Sequence, residues 1–497
     1  MGNRVFTREQ VESLLSAVKG KTLGEVDKRN LIEIAHKANP GKVQKGIAGD
    51  VIELSVLGCD KRDSKQAPDI TVDGVMTELK TTGVRKKKKS EEFVAKECIT
   101  ITAVSHDQIV NEEFDNSHFL NKIEHLLFVF YHFLLDESAP NSIVYRDFPI
   151  LGHLFWQAKP EDLDRLRNDW LLVREFCRNH EFDEREPRKE LERNLLLLNY
   201  SSPESPRFRF KASFASSIVN DFLGKEQLEA LPKPISKFSE IDEKCHLFTE
   251  RYQGKSISEI AIELGIPINR SQKDISQQII IRMFGGKAAS LNRIRDFSEI
   301  GLVAKTIILT SDDKRTEDMK LFQIDFEEWL DPKVTFRDEF RDDEEGLFST
   351  PYSEMYSYFA EQSFIFIVFQ EPSKRNNSYS VAGIKEDKIP LDDCRFVGFK
   401  RYSFGEDFIM NEAKRTWEES RDRILSGKLE NVKSGGGYAP NLPKSKDHIL
   451  FMRGSGSDGF DKRPVLQKWG YSFDMYIQWV RIKGKYIVEE LNKLEYL

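Results

Sequence analysis

Ala67-Pro-Asp-Ile-Thr-Val-Asp-Gly-Val-Met-Thr-Glu-Leu-Lys80 reads as two alternating strands joined at Asp73-Gly74, a two-residue hairpin signal. Side chains along a strand repeat every two residues, so Glu78 and Lys80 share a face, and Asp69 on the neighbouring strand can approach them across the sheet. Two carboxylates there would offer hard oxygen ligands to Mg2+, which keeps several waters and takes one or two carboxylates plus a substrate phosphate. Such a metal lowers the pKa of an attacking water and neutralises charge on the scissile phosphate, with Lys80 orienting the water or the phosphate. The same residues also suit a solvated hairpin with an ordinary Glu–Lys pair.

The surroundings bear on that choice. Upstream, Gly46-Ile-Ala-Gly-Asp-Val-Ile-Glu53 reads as a helix able to point an acidic side chain at the hairpin, with Glu53 the better candidate. Downstream, the densest basic strip of the chain, Arg85-Lys86-Lys87-Lys88-Lys89, follows within one loop, where a duplex backbone would have to pass. Read alone, the strip is equally a solvated basic loop.

At 497 residues the chain exceeds one ordinary core, and two larger halves are expected. A content of 39% hydrophobic and 32% charged residues supplies packed cores and excludes a disordered chain. The longest apolar run, His125-Leu-Leu-Phe-Val-Phe-Tyr-His-Phe-Leu-Leu135, is too short to span a membrane and reads as a buried strand. Met1 to Gln10 carry no apolar export segment, so a cytoplasmic location and no membrane partner are expected. Cysteines 59, 98, 177, 245 and 394 lack paired short spacings, which points to reduced buried thiols rather than disulfides or zinc. His106, His118, His125 and His132 form no ligand spacing with them and read as packing or capping residues. No glycine-rich phosphate loop is present, so ATP use is not indicated. A net charge of -7 argues against a uniformly basic nucleic-acid binder, yet contacts to DNA are local and a basic strip can make them.

The chain also repeats itself. Lys19-Gly-Lys-Thr-Leu-Gly-Glu-Val26 is echoed by Gln253-Gly-Lys-Ser-Ile-Ser-Glu-Ile260, and Gly49–Gly58 by Ser276–Gly285. Asp73–Thr81 then matches Glu299–Thr306, both strand-like and ending in Lys-Thr; the apolar run at 125–133 matches Ser363–Gln370; Arg207–Ala215 matches Tyr471–Trp479. Five matches in one order favour a duplication over two unrelated domains. The prolines and polar residues between Leu223 and Ile235 place the boundary, giving halves at 1–228 and 241–497 with a linker at 229–240. Ser256–Pro267 can be read as the start of a helix-turn-helix or as the counterpart of the helix at 22–33.

These features resemble the MutH-like endonucleases, in particular the two-domain restriction enzymes that cut GATC. The resemblance runs nearly the whole length and rests on the helix Gly46–Gly58, on Pro68-Asp69…Gly74…Glu78-Leu-Lys80-Thr81, and on Asn111-Glu-Glu-Phe-Asp-Asn-Ser-His-Phe-Leu-Asn-Lys122 leading into the apolar strand. It implies an α/β chain with α+β mixed sheets, made of two tandem restriction-endonuclease-like domains of which the second is degenerate. It implies metal ligands at Asp69 and Glu78, a catalytic Lys80, an assisting Glu53, a Mg2+ cofactor, and cleavage of double-stranded DNA at GATC that leaves 5′-phosphates. The spacing from Asp69 to Glu78 is longer than the family's, and the segment after Leu195 lacks its basic recognition stretch.

In the second half the positions of Glu78 and Glu53 become Val303 and Ile280, leaving Asp296 and Lys305, so that half is expected to bind DNA without cutting it. Candidate DNA contacts are Arg85, Lys86, Lys87, Lys88 and Lys89, then Arg209 and Lys211, and in the second half Lys305 and Arg453, the latter in His448-Ile-Leu-Phe-Met-Arg453. The protein is expected as a monomer or a DNA-induced dimer. Two other readings are a partner-dependent mismatch-repair nickase of the same fold and a non-catalytic DNA-binding protein.

Overall fold

The computed structural model describes residues 4–497 apart from 39–45, 61–66, 87–92, 135–141, 201–205, 225–227, 268–274, 315–316, 332–333, 338–340, 344–345, 349–352, 373–393, 435–436 and 457–460. In the first half, β1 (Val5–Phe6), β2 (Ile70–Val72), β3 (Val75–Lys86), β4 (Phe93–Ala95), β6 (Leu126–His132) and β7 (Ile150–Trp156) form one mixed sheet. Its order is β1-β2-β3-β6-β7, with β4 on the far end of β3; β3 runs parallel to β6 and antiparallel to β2. β5 (Ile99–Ala103), β8 (Leu198–Tyr200) and β9 (Arg207–Phe210) make a second, antiparallel sheet with β9 central.

The Asp73-Gly74 turn forms as its chemistry dictates. Both residues take positive φ, 49° and 83°, and Val72 faces Val75 across the two-residue loop. The apolar run becomes β6, flanked by β3 and β7 and buried on both faces, which explains why it reads as unbroken hydrophobics rather than an alternation.

The second half repeats the plan. β10 (Leu302–Leu309) lies parallel to β14 (Ser363–Gln370), which is antiparallel to β15 (Arg395–Tyr402); β11 (Met319–Gln323), β19 (Gln478–Ile482) and β18 (Leu450–Gly454) form an antiparallel sheet with β19 central. Two small hairpins, β12 (Arg341–Asp343) with β13 (Gly346–Phe348) and β16 (Asn431–Ser434) with β17 (Gly437–Pro440), stand apart.

Fine details recur as well. The register breaks after Phe130, opposite Gly152, and after Val368, opposite Gly398. Thr22 with Glu25 and Ser256 with Glu259 close capping boxes, and each preceding glycine, Gly20 or Gly254, donates its N–H to the sheet at 2.8 Å, to Ile150 and Phe396 respectively. That shared anchoring supports the packing reading of Ser256–Pro267 over a helix-turn-helix.

Two matches read from the sequence shift. Arg295–Ile300 is a helix ended by Gly301 in the left-handed region (φ 69°), so the strand starts at Leu302 rather than Glu299. The counterpart of β9 begins at Gln478, downstream of most of the Tyr471–Trp479 stretch.

Alternate side chains of β6 feed different cores. Leu127, Val129 and Tyr131 face the N-terminal helices, whereas Leu126, Phe128 and Phe130 share a core with Ile365, Ile367 and Phe369 of β14. The other face of β14 builds the core of the second half. The middle core therefore lies between the sheets of both halves, and Leu231, Ile235 and Phe238 of the segment between them are packed into it.

Charge reinforces this contact. Arg165, 1% exposed on the helix Pro160–Asn179, meets Asp162 at 3.3 Å, Glu299 at 2.7 Å and also Asp296. Arg295 answers from the second half, reaching Asp162 at 2.6 Å and Glu161 at 2.7 Å. Removing one member of such a desolvated network strands the others.

Candidate active site

Hairpin geometry assembles the site. Ile70 pairs with Thr77, which carries Asp69 to the place opposite Glu78, and the Leu79 N–H donates to Asp69 Oδ2 at 2.8 Å. Glu78 and Lys80 share a face of β3 and form an ion pair at 2.9 Å. Lys80 Nζ also donates to the Ile101 carbonyl of β5 at 3.3 Å, which fixes the ammonium between the two sheets.

A residue to which the sequence reading gave no role completes the group. Lys122, at the end of the helix His118–Ile123 and 4% exposed, donates from Nζ to Glu78 Oε2 and to the Ala67 carbonyl, both at 2.8 Å. A lysine this close to an all-buried strand cannot snorkel to water and must find a carboxylate; that is the signal which could have revealed it.

Glu53 sits in a π-helical turn, Val51–Val56, that extends the helix Ile47–Asp50. Its carboxylate pairs with Arg4 at 2.6 Å, and the same guanidinium nitrogen donates to the Asp69 carbonyl at 2.9 Å. Arg4 thus ties the assisting acid to the strand bearing Asp69.

The electrostatics are asymmetric. Burial, with the charge of Glu78 added, pushes Asp69 up to about 6. Burial would raise Glu78 too, but Lys80 and Lys122 outweigh it and hold that carboxyl below its ordinary range. One acid is fully ionised by its lysines while its neighbour ionises only against resistance. A divalent cation would relieve that resistance, and two hard carboxylates suit Mg2+, so the donor set fits this ion. Among the described residues no group of three or more His, Cys, Asp or Glu side chains is arranged to hold a metal.

The comparisons bear on this geometry. Residues 59–169, which contain Asp69, Glu78, Lys80 and Lys122, match the family of the DNA mismatch repair enzyme MutH. This region is a MutH-type nuclease domain. The chain is also 24% identical to the type II restriction enzyme Sau3AI of Staphylococcus aureus, over 93% of this chain and 92% of the relative. That likeness therefore extends through the second half, beyond the MutH-type domain.

In the second half Lys305 occupies the place of Lys80. Each lies two residues before the strand break in register, opposite Phe366 and Phe128, and Lys305 Nζ donates to the Lys320 carbonyl of β11 at 3.2 Å as Lys80 does to β5. Val303 stands where Glu78 does, and Ile280 is buried in a helix. Asp296 is not beside Lys305 as a residual ligand; it is held by Arg165 and the Ile235 N–H in the contact between the halves. β10 has no counterpart of β2 among the described residues, so nothing there takes the position of Asp69.

The expected DNA contacts are scattered. Lys86 and Arg453 are exposed, and Lys87, Lys88 and Lys89 lie outside the described residues. Arg85 turns from a duplex to pair with Glu354 of the second half. Arg209 and Lys211 are corrections: both are buried, and Lys211 donates to the Leu195 carbonyl at 2.6 Å, so neither stands on a face a duplex could reach. Lys305 is likewise largely buried, its pKa pushed down to about 8 by that burial. All five cysteines are free and buried, and no helix among the described residues is long and apolar enough to cross a membrane.

Proposed function

We propose that the chain is a type II restriction endonuclease that cuts unmethylated double-stranded DNA at GATC, using Mg2+ and leaving 5′-phosphates. Its first half does the cutting; its second is a catalytically dead copy that binds DNA. The convergence of Asp69, Glu78 and Lys80 in the MutH-type domain, set against a lone Lys305 at the equivalent place, is the observation that carries this reading.

Asp69 and Glu78 would hold Mg2+, which when bound supplies a water of lowered pKa and neutralises charge on the scissile phosphate. Lys80, fixed by Glu78 and the Ile101 carbonyl, offers its remaining N–H to the attacking water or to a phosphate oxygen. Lys122 keeps Glu78 ionised and aimed, and Arg4 holds Glu53 against the same strand. Hydrolysis breaks the bond to the 3′ oxygen, so the phosphate stays on the 5′ end.

Incubation with unmethylated plasmid, with and without Mg2+, followed by mapping of the ends, tests the proposal. Discrete fragments ending at GATC only with Mg2+ support it. A plasmid left intact but retarded on a gel argues for a binding protein or a partner-dependent nickase.

A further inference from the structure

Where the two halves meet, the wall of a cavity of about 90 Å3 gathers Arg188, Lys189 and Arg193 of the helix Arg185–Asn194, Arg209 and Lys211 at the end of β9, and Arg337 of the second half. Against these six cations the wall holds three carboxylates, Glu192, Glu361 and Glu406. Arg188 pairs with Glu192 at 3.0 Å and Arg337 with Glu406 at 2.6 Å. Lys189 and Arg193 turn to Glu186 and Glu190, acids outside the wall, at 2.8 Å and 3.7 Å. Lys211, 4% exposed, lies deepest; burial pushes it below the ordinary lysine range despite Asp169 and Glu361 nearby.

Positive charge is thus in excess where water is scarce, an arrangement that costs free energy unless an anion joins it. Size narrows the choice. A single water needs roughly 10–15 Å3 on this measure, so the space admits several waters or one tetrahedral oxyanion, and no base or sugar. Guanidinium forks and ammonium groups match the oxygens of such an ion.

We infer that this cavity is a binding site for a phosphate-type oxyanion, taken up as inorganic phosphate or as the phosphoryl end of a nucleoside 5′-monophosphate. Its cations lie outside the MutH-type domain and come from both halves, so the bound anion ties the halves together and is separate from the Asp69–Glu78 centre.

Calorimetric titration of the full chain in metal-free buffer, with inorganic phosphate and with deoxyadenosine 5′-monophosphate at matched ionic strength, tests this. Saturable binding with Kd of about 1 mM or tighter is expected, weakened at least about tenfold in the double variant Lys189→Gln, Arg337→Gln. Lys80→Met should bind phosphate like the parent. Equal affinities mean the phosphoryl group alone is read; tighter monophosphate binding makes the nucleotide the ligand. Absence of saturable binding in the folded parent overturns the inference, as does unchanged affinity in the double variant or loss of binding in Lys80→Met. Should the double variant not fold, Lys189→Gln alone, together with the parent titration, decides.

Discussion

Asp69→Asn should make the protein more stable while removing its activity. Burial and Glu78 raise this carboxyl from 3.8 to about 6, a rise of about two pH units at roughly 1.4 kcal/mol each. Keeping Asp69 ionised therefore costs about 3 kcal/mol of folding free energy. The folded chain holds the proton more tightly than the unfolded one, so this group's contribution is fully present below pH 3.8 and is lost as pH rises through about 6. Asparagine never ionises, and its carbonyl oxygen can still accept from the Leu79 N–H now bonded at 2.8 Å. Allowing for imperfect replacement of the second carboxylate oxygen, Asp69→Asn should gain about 1.5–3 kcal/mol at pH 8 and little near pH 4. Urea unfolding of both proteins in a chelating buffer at the two pH values measures the difference. Saturating Mg2+ should then stabilise only the parent, by about 2.7 kcal/mol at a hundred times its Kd. A variant no more stable than the parent at pH 8, or one gaining as much at pH 4, would refute a strained carboxylate at this site.

Lys122→Met should lower cleavage about 10–100-fold, as loss of a group orienting a metal ligand does, and should move the acid limb of the pH–rate profile upward because Glu78 loses one of its two ammonium partners. Arg165→Met should destabilise the chain by about 3–5 kcal/mol in urea unfolding, because Asp296 and Glu299 remain buried with Arg295 as their remaining cation nearby. Lys305→Met should raise the urea midpoint at pH 7. A lysine depressed from 10.5 to about 8 burdens the fold wherever it is charged, and stability returns as pH rises through that interval, so the gain should shrink above pH 10. An unchanged midpoint at pH 7 contradicts the burial of Lys305.

The first half of the site was legible because strand periodicity and turn chemistry are local. Asp73-Gly74 sets the hairpin register, and the register alone puts Asp69 opposite Glu78 and Glu78 beside Lys80. The duplication was legible too, since capping boxes and apolar strands leave short patterns at Thr22–Glu25 and Ser256–Glu259. Residues whose roles are set by distant partners were not. Lys122 lies 44 positions from Glu78 and Arg4 lies 49 from Glu53, and no spacing rule links them. The same limit explains the misplaced cations. Arg85, Arg209 and Lys211 are as basic as any DNA contact, but the second half packs where an isolated domain would be open, and Glu354 claims Arg85. Asp296 was misread similarly, because its helix ends at Gly301 and turns it towards Arg165.

Glu78→Gln measured beside the parent on one unmethylated GATC duplex, for Mg2+-dependent cutting and for binding in chelator, tests the account most directly. Glutamine keeps the shape and removes the charge that Lys80 and Lys122 hold. Cutting should fall by about a thousandfold or more, several kcal/mol of transition-state stabilisation, while binding stays near that of the parent. A Glu78→Gln protein that still cuts at the parent's rate, or a parent that binds the duplex and never cuts it, would contradict the assignment of this site.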